Sequence, residues 1–473
     1  MLHSNYQKRK VQKEIVMVTI QQLAEEFITK LEKMDGIELG IDGFLRAAKE
    51  EAKSFLLKYM QGRIEQVDEL LTLHQEMRPN WRIVRKQERV LSTSIGELHF
   101  QRRYYQDCCS KNYSYLVDQL LGIDSHQRIS RELMSDVCNQ AAQHSYKKSS
   151  VITCDGLLSK QSIMNITRSA SIPEAPLNPQ VEELQVLHIQ ADEDHVPGQD
   201  GINRELKLAV IHEPIQKHGK KNYLPNKRTL TQREGETVEA FWERIWESIC
   251  GNYNVAEEAT FYIHGDGASW IRHGCELFSN SKYVLDTFHA LKYLKKIVPD
   301  THESYTEMLE YMYQGNRKHF RKLAYQQVGK HPEKSVETQQ QAIGYLLNQW
   351  SGIAIWSKDK EAGRSCAEGL VSHILSDRLS SRPMGWSRCG MHSIAEIRAL
   401  HQNGGNIRTI DFPRKMDDEK YIYLLDSVDR KPLKQVVGDE YTFEANYSRA
   451  LQMSQNNAYR RLFEKIKYGG MRF

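Results

Sequence analysis

The spacing of apolar positions changes several times along the chain. From about Ile20 to Glu76 they recur every three to four residues, as in "IQQLAEEFITKLEKM", and this predicts two or three amphipathic helices. "RVLSTSIGELHFQRRYY" then alternates with period two about Gly96 and predicts a β-hairpin. Three short helical patterns follow between Ser130 and Ser171: "SRELMSDVCNQAAQ", "SYKKSSVIT" and "LSKQSIMNITRSA". The last opens on Ser159 as an N-cap, with Leu158 and Ile163 at the spacing of a hydrophobic staple. Pro173, Pro176 and Pro179 fall within seven residues, and neither a helix nor a central strand survives that, so a domain boundary is expected there.

Beyond the prolines the rhythm alternates. "LQVLHIQAD", "ELKLAVIHE" and "NYLPNKRTLT" read as strands, "TVEAFWERIWESICGNY" as a helix, "ATFYIHGDG" as a strand, "ASWIRHGCELF" as a helix and "KYVLDTFH" as a strand. A long helical stretch from about Thr301 to Lys358 and a further helix from about Arg364 to Leu379 complete the series. This order is that of an α/β, ribonuclease-H-like catalytic core with an all-helical insertion before its last helix, preceded by a mostly helical N-terminal DNA-binding region. The expected divisions are a helical region with a basic hairpin (1–120), a helix-turn-helix-like domain (121–172), the core (182–298 and 361–400) split by the insertion (299–360), and an extension (401–473).

Composition narrows the class. Of 473 residues, 40% are hydrophobic, enough for sizeable cores, yet no window approaches the eighteen or so uninterrupted apolar residues of a membrane helix. The apolar segment near the N-terminus is too short for a signal peptide, so a soluble, cytoplasmic protein with no membrane partner is expected. The eight cysteines are scattered without CxxC spacing and read as reduced, packed thiols.

Net charge is only +4, but the hairpin concentrates it: Arg82, Arg85, Lys86, Arg89, Arg102 and Arg103 face only Glu88 and Glu97. The hairpin is either a DNA-facing ribbon or a solvated surface. In the three-helix segment, Lys160, Gln161, Asn165 and Arg168 lie on the helix that would enter a major groove, although trihelical bundles also occur without DNA.

The carboxylates carry the candidate chemistry. In this element order Asp192 ends the first strand, Asp266 ends the fourth, and Glu368 sits on the last helix, whose partly apolar neighbours Val371, Ser372 and Leu375 turn it toward the sheet. Phosphodiester cleavage at neutral pH uses two divalent ions held by such convergent acids. Taken singly, Asp266 before Gly267 is equally a turn signal and Glu368 a surface acid. Asp192 competes with Glu193 and Asp194, and alternation puts Asp192 and Asp194 on one face.

The blocks "IQADEDHV", "HGDGASWI", "LDTFHALKYL" and "CAEGLVSHILSDRLSSRPMGWS" resemble the signature blocks of the ISLre-type bacterial insertion-sequence transposases, a group long filed as an uncharacterised protein family. The upstream "VLSTSIGELHFQRRYY" and "LLGIDSHQRIS" are similar to that family's N-terminal blocks. The resemblance implies a DDE transposase that cleaves transposon ends and joins them to target DNA, using two Mg²⁺ ions for which Mn²⁺ can substitute. By position it implies the triad Asp192, Asp266 and Glu368, supported by Asp286 and His289 of "DTFH" with no metal-ligating role assigned to either. It also implies double-stranded DNA as partner, a homo-oligomer on that DNA and a place at the bacterial nucleoid. Leu370 departs from the polar residue expected after the "EG" pair.

Further roles rest on charge and residue type. Asp194 is a neighbour of the triad. Arg378 and Arg382 are either phosphate ligands or fold salt bridges. The basic run "QGNRKHFRKLAYQQVGK" suits a DNA backbone. Trp350 and Trp356 are either base-stacking platforms or helix packing.

Overall fold

The computed structural model describes residues 22–219 and 221–412, so the expectations for the first twenty residues and for the extension past Phe412 lie outside the described residues. The chain divides into two compact units, one reaching to Leu133 and the other beginning at Met134.

In the first unit, helix α1 (22–32) is followed by α2 (Gly36–Leu73), β1 (Trp81–Thr93), β2 (Gly96–Asp107), the short β3 (Tyr113–Ser114) and α3 (Leu116–Leu120). Asp35 caps α2 by accepting the N–H groups of Ile37 and Glu38. β1 and β2 form the expected hairpin, paired from Trp81–Asp107 to Thr93–Gly96. Gly96 turns the tip at φ 131, a backbone conformation that a side chain disfavours. Leu91, Leu98 and Phe100 pack on Ile64 of α2 and Val117 of α3.

That packing corrects the reading of the basic cluster. Arg89 and Arg102 are buried, and both close on the Asp118 carboxylate of α3, Arg89 at 2.8 Å. Arg103 reaches Asp68 and Glu69 of α2, each at 2.7 Å. These three arginines are neutralised by acids distant in sequence, so they are not available to phosphate. Arg85 and Lys86 remain exposed on β1, Arg85 lying over the Tyr104 ring.

The second unit is mixed α/β. Helices α4 (Arg131–Gln143), α5 (Tyr146–Cys154) and α6 (Lys160–Ser169) lead to β4 (Glu183–Pro197), β5 (Asn203–His212), the small hairpin β6 (Gln216–His218) and β7 (Lys221–Tyr223), and β8 (Arg228–Thr231). Then come α7 (Val238–Asn252), β9 (Asn254–Gly265), α8 (Ser269–Leu277) and β10 (Ser281–Leu285). Five strands form one sheet in the order β10-β9-β4-β5-β8, with β4, β9 and β10 parallel and β5 antiparallel to both its neighbours.

Alternation along β4 gives the sheet one dry and one polar face. Leu187, Ile189 and Ala191 join Phe241, Trp242 and Ile245 of α7 and Trp270 and Ile271 of α8 in the main core. His188, Gln190, Asp192 and Asp194 point the other way and are nevertheless buried.

Asp192 does not end its strand. β4 continues beside β5 to the pair Pro197–Asn203, with Asp192 opposite Leu208, while its pairing with β9 stops at Gln190–His264. The strand therefore runs on past the ends of β9 and β10, and Asp192 stands at that step. Strand β10 also stops earlier than expected, at Leu285, because Asp286 caps the next helix, α9 (Thr287–Ile297), by accepting the Phe288 N–H.

The expected helical insertion resolves into α10 (Glu303–Tyr313), α11 (Arg317–Gln327), α12 (Val336–Asn348) and α13 (Trp350–Lys358). Gly352 lets α13 touch β10: a Cβ there would lie 2.5 Å from the Tyr283 ring and 2.7 Å from the Leu285 nitrogen. The next helical run comprises α14 (Ala367–Val371), a π-turn (Ser372–Ser376) and α15 (Asp377–Leu379), and α16 (Arg388–Gln402) follows. No helix among the described residues is long and apolar enough to cross a membrane.

Candidate metal centre

Three elements converge at the step in the sheet. Asp192 of β4, His289 of α9 and Glu368 of α14 each offer one ligand atom, and these atoms all lie within 4.8 Å of one another. Asp192 is buried, His289 half-buried and Glu368 exposed, so the cluster grades from core to solvent. Asp266 follows β9 directly. Its Oδ1 accepts the Ala268 N–H at 2.8 Å, an Asx turn, so the turn reading of Asp-Gly holds locally. Asp266 is outside the 4.8 Å cluster, yet its charge acts on both Asp192 and His289.

The electrostatics are those of crowded acids. Burial, with the charges of Asp266 and Glu193 behind it, pushes the Asp192 carboxyl up to about 7, against the opposing pull of the Glu193 N–H and of His289. Burial draws the His289 imidazole down, but its hydrogen bond to the Asp286 carboxylate and the charges of Asp192, Asp286 and Asp266 outweigh it and leave His289 above its usual value. His289 Nδ1 lies 3.2 Å from Asp286 Oδ2, leaving Nε2 as the donor atom for a cation. A carboxylate behind an imidazole in this way orients a metal ligand. His289 thus joins the cluster itself, which the sequence reading had not assigned to it, while Asp286 acts behind it.

A polar layer holds the carboxylates still. Gln190 Oε1 accepts the Cys366 N–H at 3.0 Å and the Ser365 hydroxyl at 3.2 Å, fixing the start of the helix that bears Glu368. Its Nε2 meets His212 Nε2 at 3.1 Å, and His188 Nδ1 meets His264 Nε2 at 3.1 Å. Burial keeps these imidazoles neutral, His188 near 3 and His212 near 4. Asp194 accepts the Ser380 hydroxyl on both oxygens at 2.9 Å, tying β4 to the end of the same helical run. Only the alternation of β4 hinted at Gln190, and only through its position two residues before Asp192. On the far side the insertion covers the Asp266 turn. The Tyr345 hydroxyl donates to the Asp266 carbonyl, and Tyr345 stacks on Tyr293 at 3.8 Å.

The profile of the Uncharacterised protein family (UPF0236) matches residues 45–416. The chain belongs to UPF0236. A UPF0236 protein of Caldanaerobacter subterraneus subsp. tengcongensis is 29% identical over 466 residues, covering 98% of this chain and 99% of its own length. A second from the same strain is 32% identical over 378 residues, covering 79% of this chain and 80% of its own length. The region shared with UPF0236 contains Asp192, Asp266, Asp286, His289 and Glu368.

Other residues singled out in this UPF0236 chain take different places. Arg378 is buried, with Nε donating to the Ala141 carbonyl at 3.0 Å and its guanidinium 4.7 Å from the Trp386 ring centroid, and burial lowers it to about 10. It braces the fold and is not a phosphate ligand. Arg382 is half-buried near it. Lys160, Gln161 and Asn165 are exposed on α6, whereas Arg168 turns to the Ser387 hydroxyl at the start of α16. Helix α4 is fastened in the same way, Asn139 donating to the Ile407 carbonyl. Trp350 is buried on Phe320, and Trp356 Nε1 donates to the Leu285 carbonyl, so both are packing residues. The basic run of α11 lines an open cleft of about 590 Å³ with Arg317, Lys318, Arg321, Lys322 and Tyr325.

Proposed function

We propose that this UPF0236 protein is a DDE-type transposase of a bacterial insertion sequence, with a ribonuclease-H-like core that cleaves transposon-end DNA and joins it to target DNA with Mg²⁺ or Mn²⁺. The observation that carries this reading is the convergence of Asp192 and Glu368, from the middle strand and the last helical run of the core, with Asp266 beside Asp192. The sheet order supports it: taking β4, β5, β8, β9 and β10 as strands one to five, the order 5-4-1-2-3 is that of the ribonuclease-H-like plan. The names of the relatives add an independent sign. One covers eleven numbered designations from a single strain and another covers four, the repetition that a self-copying element leaves behind.

The donor set fits a divalent cation. A buried aspartate pushed up to about 7 by burial and by neighbouring acids regains its charge when a cation binds. Asp192 and Glu368 would hold the ion, with Asp266 beside them. His289 adds a nitrogen donor, which suits Mn²⁺ at least as well as Mg²⁺. Bound there, such an ion supplies Lewis acidity and a nucleophilic oxygen for phosphodiester chemistry. The chain itself supplies rigid placement: Gln190 sets Glu368, Asp286 sets His289, and Asp194 clamps the helical run. Double-stranded DNA is the substrate, and joining two ends calls for at least two copies of the chain.

The test is incubation of the protein with labelled DNA carrying the element's ends and a target plasmid. Cleaved 3′ ends and joined products are expected with Mg²⁺ or Mn²⁺, and neither with Asp192→Asn or Glu368→Gln. Cleaved ends never joined would replace the reading by a nuclease. DNA bound without any metal-dependent product would replace it by a DNA-binding protein.

A further inference from the structure

Next to the carboxylate cluster lies a cleft that the metal chemistry does not use. It has a volume of about 700 Å³ and runs between α9 and the start of α12, lined by Phe288, Leu291, Lys292, Lys295, Lys296 and Lys334 among others. Four lysines face one acid in its wall, Glu333. Among the described residues Lys295 pairs with Asp300 at 2.7 Å, while no acid forms an ion pair with Lys292, Lys296 or Lys334. Lysines in the last turn of α9 suit its dipole, which accounts for Lys295 and Lys296 but for neither Lys292 nor Lys334.

Phe288 lines this cleft and contacts the ring of His289 in the cluster. It is 48% exposed, an aromatic ring left in water although it directly precedes His289. The two rings meet edge to face at 5.4 Å, so Phe288 is held by the same helix turn that positions His289. A second connection runs from Lys296, over the Tyr293 ring at 4.1 Å, through the Tyr293–Tyr345 stack to the Asp266 carbonyl. The cleft is thus connected to the His289 ring on one side and to the Asp266 backbone on the other.

We infer that this cleft takes a single-stranded stretch of nucleic acid leading out of the carboxylate site, with the phosphates along Lys292, Lys296 and Lys334 and one unpaired base on Phe288. The inference rests on the phosphodiester reading above and adds what that reading leaves open, the path and strandedness of the substrate beside the site. Charge complementarity selects a polyanion. The exposed ring selects one with π-faces, because stacking on an aromatic side chain rewards an unpaired base and offers little to an acidic peptide. Phe288 also takes the place expected of Trp350 and Trp356, both of which are occupied in packing.

The experiment is fluorescence anisotropy of the full chain with a labelled single-stranded 20-mer, the same sequence as a duplex, and a polyglutamate peptide of equal charge, all without divalent metal. The single strand should bind the wild type more tightly than the peptide, and Phe288→Ala should weaken it more than it weakens the duplex. Phe288→Ala should weaken single-strand binding by about 5- to 150-fold, the range of one lost base stack, and Phe288→Trp should restore it. Lys292→Ala with Lys296→Ala should reduce the slope of log affinity against log salt by about 1.4. Unchanged single-strand binding by Phe288→Ala, or equal binding of the peptide, overturns the inference. Failure here is separable from failure of the proposed function. DNA joining with no effect of Phe288→Ala on binding discards the cleft alone, whereas Phe288-dependent binding with no metal-dependent products discards the transposase alone.

Discussion

The side-chain oxygen of Gln190 accepts the backbone N–H of Cys366 at 3.0 Å, two residues before Glu368 on the helix and two residues before Asp192 on the strand. One strand therefore fixes both carboxylates, Asp192 directly and Glu368 through the helix start. Replacing Gln190 with Ala removes the acceptor and leaves a half-buried N–H unpaired, which costs about 1 to 3 kcal/mol if water does not replace the partner. Outer-shell changes of this kind lower metal affinity about 10- to 100-fold. Calorimetric titration with Mn²⁺ should show such a loss in Gln190→Ala and a smaller one in Gln190→Glu, which keeps an acceptor. Unchanged affinity in the Ala variant would mean that Glu368 is positioned by another contact.

The raised Asp192 carboxyl sets a pH dependence. Its folded value, about 7, lies above the ordinary 3.8, so the metal-free fold binds a proton that the unfolded chain has released. The stability this gives is complete below the unfolded value and is lost as pH rises through about 7. A cation binds the ionised form, so Mn²⁺ affinity should climb between pH 6 and 8 and level off above. Melting curves of the metal-free wild type and Asp192→Asn should diverge from about pH 4 to about pH 7, the wild type losing ground as pH rises, and run parallel above. A flat Mn²⁺ affinity through neutral pH would show that Asp192 is already ionised without metal.

Asp118 carries the first unit's hairpin. It is 4% exposed and serves both Arg89 and Arg102, the latter lying 3.5 Å from the Tyr115 ring centroid. Asp118→Ala strands two buried guanidinium groups, and breaking a buried pair in this way costs about 3 to 5 kcal/mol. Urea denaturation should register that loss, while Arg85→Ala with Lys86→Ala should change stability by about 0.5 kcal/mol or less.

Gly352 and Gly344 separate close packing from open space. A methyl at Gly352 meets Tyr283 and the β10 backbone, so Gly352→Ala should destabilise by about 1 to 3 kcal/mol. A methyl at Gly344, on α12, meets nothing within 4 Å, and Gly344→Ala should stabilise by about 0.5 to 1 kcal/mol through helix propensity. Differential scanning calorimetry of the two variants should move the melting temperature in opposite directions.

Much of this was legible along the chain because it is local. Alternation in "LQVLHIQADED" already separates a dry face from a polar one and puts Asp192 and Asp194 together, and Ser159 caps α6 as its position foretold. The π-turn after Glu368 was not legible, since a shift from four- to five-residue hydrogen bonding leaves no clear periodic mark in a short run.

By itself the sequence determined which residues carry charge, which face of each strand is apolar and where helices begin, because period and capping act over a few residues. Only the tertiary structure decided what those charges meet. Arg89 and Arg102 were drawn inward by Asp118, Arg378 by the Ala141 carbonyl, and His289 was brought to Asp192 and Glu368 by the turn that Asp286 caps. Those partners lie far apart in the chain, and burial makes an unpaired charge so costly that the fold, rather than local composition, chooses which charges remain in solvent.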